Sequence, residues 1–377
     1  MRRVLPLTLM LAAIPTLAQS STPFNSHEVN SNGTITFRYQ NAAASKVTVD
    51  TDAVSDPLVM QKDSSGLWTV TTKPLPANYY NYTFVVDGVD QLDPMNGDAT
   101  RNIVGLSSSV LVPGKPPAPW EITQIPHGNV TRHYLTTYIA RGLAMNQEPY
   151  WVYTPPNYDA KRKGGYPVLY LLHGWSDYGD AWLTVGHANL ILDSLISTGS
   201  VAPMIVVMPQ GYGDYSFVTT PHDDAWKDPA KITGNLTLFS KMLTEEIIPA
   251  VNREYPIASG RENHAIAGLS MGGQEALIIG VNHAGYFAYV GGFSSALQHL
   301  DFHQQMMDPG MARGLRVLWV ACGTGDDDHI TENRQFVSWA KINKLPVVPT
   351  EMEGKHTWLV WRESLIRFTP QLFRSKK

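Results

Sequence analysis

A chain of 377 residues exceeds one ordinary domain and is long enough for two. Apolar residues make up 43% and charged residues 16%, which supplies a large core and excludes a disordered chain. The formal net charge is -4, with Lys and Arg scattered along the chain, which excludes nucleic acid or an anionic membrane surface as the main partner.

Met1 to Ala18 read as a secretory signal. Arg2 and Arg3 form the positive start, Val4 to Leu17 the apolar stretch, and Thr16-Leu17-Ala18 the small-residue cleavage site. The expected location is the periplasm or the cell exterior. No Cys follows the apolar stretch and no other segment approaches the roughly 20 apolar residues of a membrane span, so no membrane anchor is expected. Cys322 is the only cysteine; it forms no internal disulfide and is expected to pack as a small hydrophobe within a strand. Asn32, Asn81, Asn129 and Asn235 begin sequons, which matter only in a glycosylating host.

Residues 19–112 read as a small all-β, immunoglobulin-like sandwich. Ile35, Phe37 and Tyr39 alternate with polar residues, as do Val47 with Val49, and Tyr82 with Phe84 and Val86. Asp87-Gly88 is a tight-turn pair. Residues 113–126 follow as a linker; Pro113, Pro116, Pro117 and Pro119 predict an extended, semi-rigid spacer. From residue 127 to 377 the pattern becomes α/β. Apolar runs at Val168–Leu172, Met204–Met208, His264–Leu269, Val290–Phe293 and Val317–Ala321 predict strands buried on both faces. Helical patterns lie between or after them at Leu190–Ile196, Leu238–Val251, Met271–Gly280, Phe336–Ile342 and Trp358–Phe373. The alternation predicts a mostly parallel sheet with helices on both faces.

Gly268-Leu269-Ser270-Met271-Gly272 matches G-x-S-x-G, in the strand-to-helix context that makes the motif meaningful. Ser270 is the candidate nucleophile, and the Met271 N–H at the helix start a candidate oxyanion donor. A hydroxyl needs a base, and on this kind of sheet the chain order is serine, acid, histidine. His356, in the loop Glu353–Trp358, is the expected base; His299 and His303 read as surface residues and His329 as the runner-up. Asp326, at the end of a strand in Gly323-Thr-Gly-Asp326, is the expected acid, with Asp327 and Asp328 as competitors. His173-Gly174-Trp175 offers the second oxyanion donor, the Trp175 N–H. The spacing of Asp326-Asp-Asp-His329 fits no calcium loop, and no zinc-spaced His-Glu pair occurs, so neither metal nor cofactor is expected. Trp182, and His222, Asp224 and Trp226 in the loop 221–226, are candidate pocket walls by position.

These residues resemble carbohydrate esterase family 1, which contains feruloyl and acetylxylan esterases. The likeness is carried by Val152–Tyr158, Tyr166–Gly174, Met204–Pro209, Ala267–Gly273, Ala321–Asp326 and Gly354–Trp358. It implies an α/β-hydrolase fold, a triad of Ser270, Asp326 and His356, and ester decorations of a polysaccharide such as xylan as substrate. Lys355 departs from the Gly that often precedes the base and implies a changed rim. The front part resembles family 48 carbohydrate-binding modules through Gly66-Leu-Trp68, Tyr79-Tyr80, and Val86–Val89 with Asp93-Pro94; the resemblance implies that Trp68, Tyr79 or Tyr80 stacks on sugar rings, against the commoner use of such aromatics as core, in which case the front part shapes the esterase cleft or serves as a spacer. Two other functions stay open: a siderophore esterase cleaving a catecholate trilactone, and a carbohydrate-binding protein on an inactive esterase fold. The sequence carries no signal for oligomeric state.

Overall fold

The computed structural model describes residues 24–298, 301–306 and 309–374; the expected leader and His299 lie outside the described residues. The front part holds two antiparallel sheets. One orders His27–Val29, Ile35–Gln40, Leu67–Thr71 and Gln61–Lys62; the other orders Leu58–Val59, Val47–Thr51, Asn78–Val86, Gly105–Val112 and Ala99–Asn102, with Val89–Gln91 also on Asn78–Val86. Along Asn78–Val86, Tyr80, Tyr82, Phe84 and Val86 are buried and the residues between them are not, the period of two of a half-buried strand. They meet Ile35, Phe37, Val47 and Val49 in one apolar core. Asp87 and Gly88, with φ of 49° and 87°, make the tight turn expected of them.

The aromatic residues expected to stack on sugars do not form an exposed platform. Trp68 and Tyr80 are buried, and they donate to the Asn41 and Pro76 carbonyl oxygens. Tyr79 stacks on His187, ring centroids 3.8 Å apart. Their apolar area went to the core and to the contact with the body.

The second part is built on one eight-stranded sheet: β1 (Asn129–Thr136), β2 (Gln147–Thr154), β3 (Val168–Leu172), β4 (Ile205–Pro209), β5 (His264–Leu269), β6 (Tyr289–Phe293), β7 (Val317–Gly323) and β8 (Val347–Met352). The order is β1-β2-β4-β3-β5-β6-β7-β8. β1 and β2 pair antiparallel and β2 pairs antiparallel with β4; the remaining pairings are parallel. β3 to β7 are almost wholly buried, as continuous apolar runs between two helical layers should be. β1 and β2 were not among the expected strands. β1 is a mostly exposed edge, so no apolar alternation marks it.

Helices α1 (Ala188–Ser197), α2 (Pro229–Met242), α3 (Ser270–Asn282), α4 (Ile330–Ile342) and α5 (Trp358–Phe368) cover the two faces. α2 begins nine residues before the expected helix and runs on through a π-turn at Leu243–Ile247. Its start is set by Asp228, whose carboxylate caps the Ala230 and Lys231 N–H groups, followed by Pro229, a signal present in the sequence.

The proline-rich segment is not a bare spacer. The Glu121 carboxylate accepts the Gly114 and Ala118 N–H groups, and Trp120 is buried with Trp151 and Tyr153. The two parts are bolted together at two further places. The buried Arg362 guanidinium donates to Asn78 Oδ1 and to the Tyr79 and Val185 carbonyls at 2.7–3.0 Å. At the other place, Arg101 pairs with Asp180 at 2.8 Å and Asn102 Nδ2 donates to Asp177 Oδ1 at 2.9 Å. The Ile103 N–H donates to the Ser176 carbonyl at 2.7 Å.

Burial pushes the carboxyls of Asp52 and Asp177, which line one cavity at this contact, up to about 7. An acid whose folded pKa is raised stabilises the fold while protonated and loses that contribution as pH rises through the folded value. The thermal midpoint is therefore expected to fall by a few degrees between about pH 6 and pH 8. Asp177→Asn keeps an acceptor for Asn102 and cannot ionise; it flattens that fall in calorimetry.

Candidate active site

β5 ends at Leu269 and α3 begins at Ser270, with no loop between. Ser270 therefore sits at φ 51°, a left-handed conformation worth about 1–3 kcal/mol of strain. The sharp turn is possible because its flanks are bare: a Cβ on Gly272 would collide with the His173 carbonyl oxygen, and one on Gly268 with Gly272. Ser270 Oγ lies 3.0 Å from His356 Nε2, and His356 Nδ1 lies 2.9 Å from Asp326 Oδ2. Asp326 follows β7 and His356 precedes α5; the Gly325 N–H bonded to the Gly354 carbonyl and the Thr324 N–H bonded to Met352 hold their two loops together.

His329, the runner-up base, is part of the same arrangement. Its Nδ1 lies 2.9 Å from Asp326 Oδ1, the oxygen that His356 leaves free. The two imidazoles stack with centroids 4.0 Å apart and planes 11° from parallel. The Gln298 amide lies 3.2 Å from His329 Nε2; as a donor there it leaves the single imidazole proton on Nδ1, toward Asp326. Burial pushes the Asp326 carboxyl upward, but the hydrogen bonds from His329 and His356 outweigh it and hold the group well below the usual carboxylate range. One ionised carboxylate thus faces two imidazole N–H donors. These three residues bring donor atoms within 4.8 Å of one another, with both Nδ1 atoms engaged on the carboxylate. Asp327 and Asp328 are exposed and His303 lies against Phe302, outside this chain of bonds. Cys322 is buried beneath Asp326, and burial pushes its thiol to about 12, so it stays un-ionised.

His356 is lowered from 6.5, chiefly by burial, with a further push from the neighbouring His329 and opposition from Asp326. A base with a depressed pKa stays unprotonated further into acid. The acid limb of kcat/KM against pH is expected below the ordinary imidazole value of 6.5; a pH–rate profile measures it.

Met271 is the second residue of α3, where backbone N–H groups have no helical partner. Trp175 lies in the loop after β3, which passes close to the nucleophile: a Cβ on Gly174 would stand 3.4 Å from Ser270 Cβ. The next five residues, 176–180, carry the contacts from Arg101, Asn102 and Ile103, so the front sheets hold the loop on which Trp175 sits.

Two cavities share Trp175, Ser270 and His356. One, of about 570 Å³, is lined also by His222, Trp226, Gln298, Asp328 and His329; the other, of about 310 Å³, by residues of both parts of the chain. His222 packs edge-on to Trp175 at 4.8 Å. Two of the residues chosen by position do not line either cavity. Trp182 is fully buried, donates from Nε1 to the Leu172 carbonyl, and packs edge-on to Trp358; it is core, because its indole points under the sheet. Asp224 is exposed on the outer side of a short helix, while Trp226 of that helix is buried.

Residues 144–372 match the model of the esterase family described as "Putative esterase". Over 357 residues the chain is 30% identical to an endo-1,4-beta-xylanase/feruloyl esterase of Xylanibacter ruminicola, covering 92% of this chain and 46% of that protein. The chain thus spans less than half the length of that relative. Its fold is similar to a ferulic acid esterase of Anaeromyces mucronatus solved in complex with ferulic acid, with a TM-score of 0.59, 24% identity, and 67% and 93% of the two chains covered. It is also similar to the enterochelin esterase of Shigella flexneri, with a TM-score of 0.68, 17% identity, and 92% and 95% covered. These likenesses carry an α/β-hydrolase-like fold, and the second extends over both parts of the chain.

Proposed function

Because the chain belongs to this esterase family, we propose that it is a secreted serine carboxylic-ester hydrolase removing feruloyl or acetyl groups from a plant polysaccharide such as xylan. The observation that carries this reading is the unbroken run of bonds from Ser270 Oγ through His356 to Asp326. His356 Nε2 takes the Ser270 proton as Oγ attacks the ester carbonyl. The oxyanion forms against the Met271 and Trp175 N–H groups. His356 then returns the proton to the departing alcohol, leaving an acyl-enzyme, and activates a water that releases the acid and restores Ser270. Asp326 stays ionised throughout and holds the imidazolium. The feruloyl assignment is supported by the relative from Xylanibacter ruminicola and by indole and imidazole rings on the larger cavity, which suit a flat aromatic acid.

Hydrolysis of methyl ferulate, a simple acetyl ester and acetylated xylan, each with Ser270→Ala as blank, tests the reading. Ferulate or xylan acetate released only by the wild type upholds it. A second reading, a siderophore esterase, is favoured by the fold similarity to the enterochelin esterase over both parts of the chain. Turnover of a catecholate trilactone with no release from ferulate or xylan esters selects it. Xylan binding without turnover of any ester selects the non-catalytic alternative.

A further inference from the structure

Trp175, Ser270 and His356 form a wall common to both cavities. An ester held with its carbonyl carbon at Ser270 Oγ sends its acyl and alcohol halves in different directions, so two cavities meeting at the nucleophile divide the substrate between them. They differ in which part of the chain supplies their polar groups. The larger carries Trp175, His222 and Trp226. The smaller is closed by Asp52, Asn81 and Asn102 of the front sheets, facing Asp177, Trp358 and Trp361 of the body. Both cavities carry indoles, on which a flat acyl group or the apolar face of a sugar can lie; what the front sheets add to the smaller one is a carboxyl beside a free amide, able to serve the paired hydroxyls of a polyol.

We propose that the cavity between the two parts is the subsite for the alcohol half of the ester, and that it takes a sugar residue whose hydroxyls bond Asn81 and Asp52. This rests on the esterase reading above. The two side chains are set for it differently. Asn81 makes no side-chain hydrogen bond among the described residues, so its amide offers both a donor and an acceptor. Asp52 Oδ1 accepts the Asn81 N–H at 2.9 Å, which fixes the carboxyl beside that amide. Asn102 is committed to Asp177 and to the Val104 N–H and serves as wall. The front part thus meets carbohydrate through a polar wall at the nucleophile, while Trp68 and Tyr80 lie in its core.

The test compares esters that share an acyl group and differ in alcohol: feruloyl-arabinose against methyl ferulate, and acetylated xylobiose against ethyl acetate. The protein is made in a host without N-glycosylation, since Asn81 begins a sequon and a glycan there would fill the cavity. Asn81→Ala is expected to lower kcat/KM for the sugar ester about tenfold more than for the simple ester, with the difference in KM. Asn81→Ser, which keeps one hydroxyl, recovers part of it. An equal change on both alcohols, or none, in the folded variants overturns the subsite while leaving the esterase reading in place. Methyl arabinoside supplies a check that needs no variant: competitive inhibition of simple-ester hydrolysis by the wild type supports the subsite, and none at saturating sugar overturns it. Wild-type protein that cleaves simple esters and no sugar ester overturns both the subsite and the polysaccharide assignment.

Discussion

Ser270→Ala is expected to lower kcat by about 10⁵–10⁶-fold on the ester that the wild type cleaves fastest. The nucleophilic oxygen is lost, and among the described residues no other hydroxyl lies within a hydrogen bond of His356 Nε2. His356→Ala should cost about as much and the double variant no more, because the two groups act as one unit and their effects do not add. What remains is the contribution of the oxyanion donors and of substrate binding. The fold is spared: Ser270 is small and buried at the start of α3, and alanine meets the same backbone conformation with the same Cβ. A variant that melts with the wild type and retains most of its activity sinks the serine mechanism.

Asp326→Asn is expected to lower kcat by about 10⁴-fold, and here the reason is sharper than the loss of a charge. The carboxylate receives Nδ1 protons on both oxygens, from His356 and from His329. An amide has one acceptor oxygen and one NH₂ group, so only one imidazole keeps its tautomer. If His356 faces the NH₂, its proton moves to Nε2, and it can no longer take the proton of Ser270. His329→Gln makes the contrast. It leaves the bond from His356 to Asp326 and removes one bond to a charged group, worth about ten- to a hundredfold in kcat. Because His329 helps to depress His356, its removal also moves the acid limb of the pH–rate profile upward. A purely structural role for His329 would lower the thermal midpoint and leave that limb where it was.

Ser270 and Asp326 could be chosen from the chain because each follows a buried, apolar strand; the strand before His356 is only partly buried, and that residue was chosen by its loop position and by the order serine, acid, histidine. His329 was visible as a residue but not in its role. Whether its Nδ1 reaches Asp326 depends on where α4 starts, and the apolar pattern only pointed to a helix from residue 336, whereas α4 begins at Ile330. Trp182 was misread because position along the chain does not tell which side of a sheet an indole enters. Trp68 and Tyr80 look like a binding platform in sequence and are core in the structure, since an aromatic at an alternating position serves either. Asp52 and Asn102 carry no motif, and the sequon at Asn81 says nothing of the active site. All three matter because the front sheets and the main sheet meet beside Ser270, a fact of docking that no local pattern encodes.

The three contacts that the hairpin residues 101–103 make with loop 176–180 tie the histories of the two parts together. Modules joined by a bare tether can be exchanged between genes, and each then drifts alone. Here a change at Asp180 loses its partner at Arg101, and the position of the Trp175 loop is set by residues encoded some seventy codons upstream. Among homologues of this architecture, positions 101 and 180, and 102 and 177, should vary in pairs. Descendants that shed the front sheets should carry a rebuilt loop after β3.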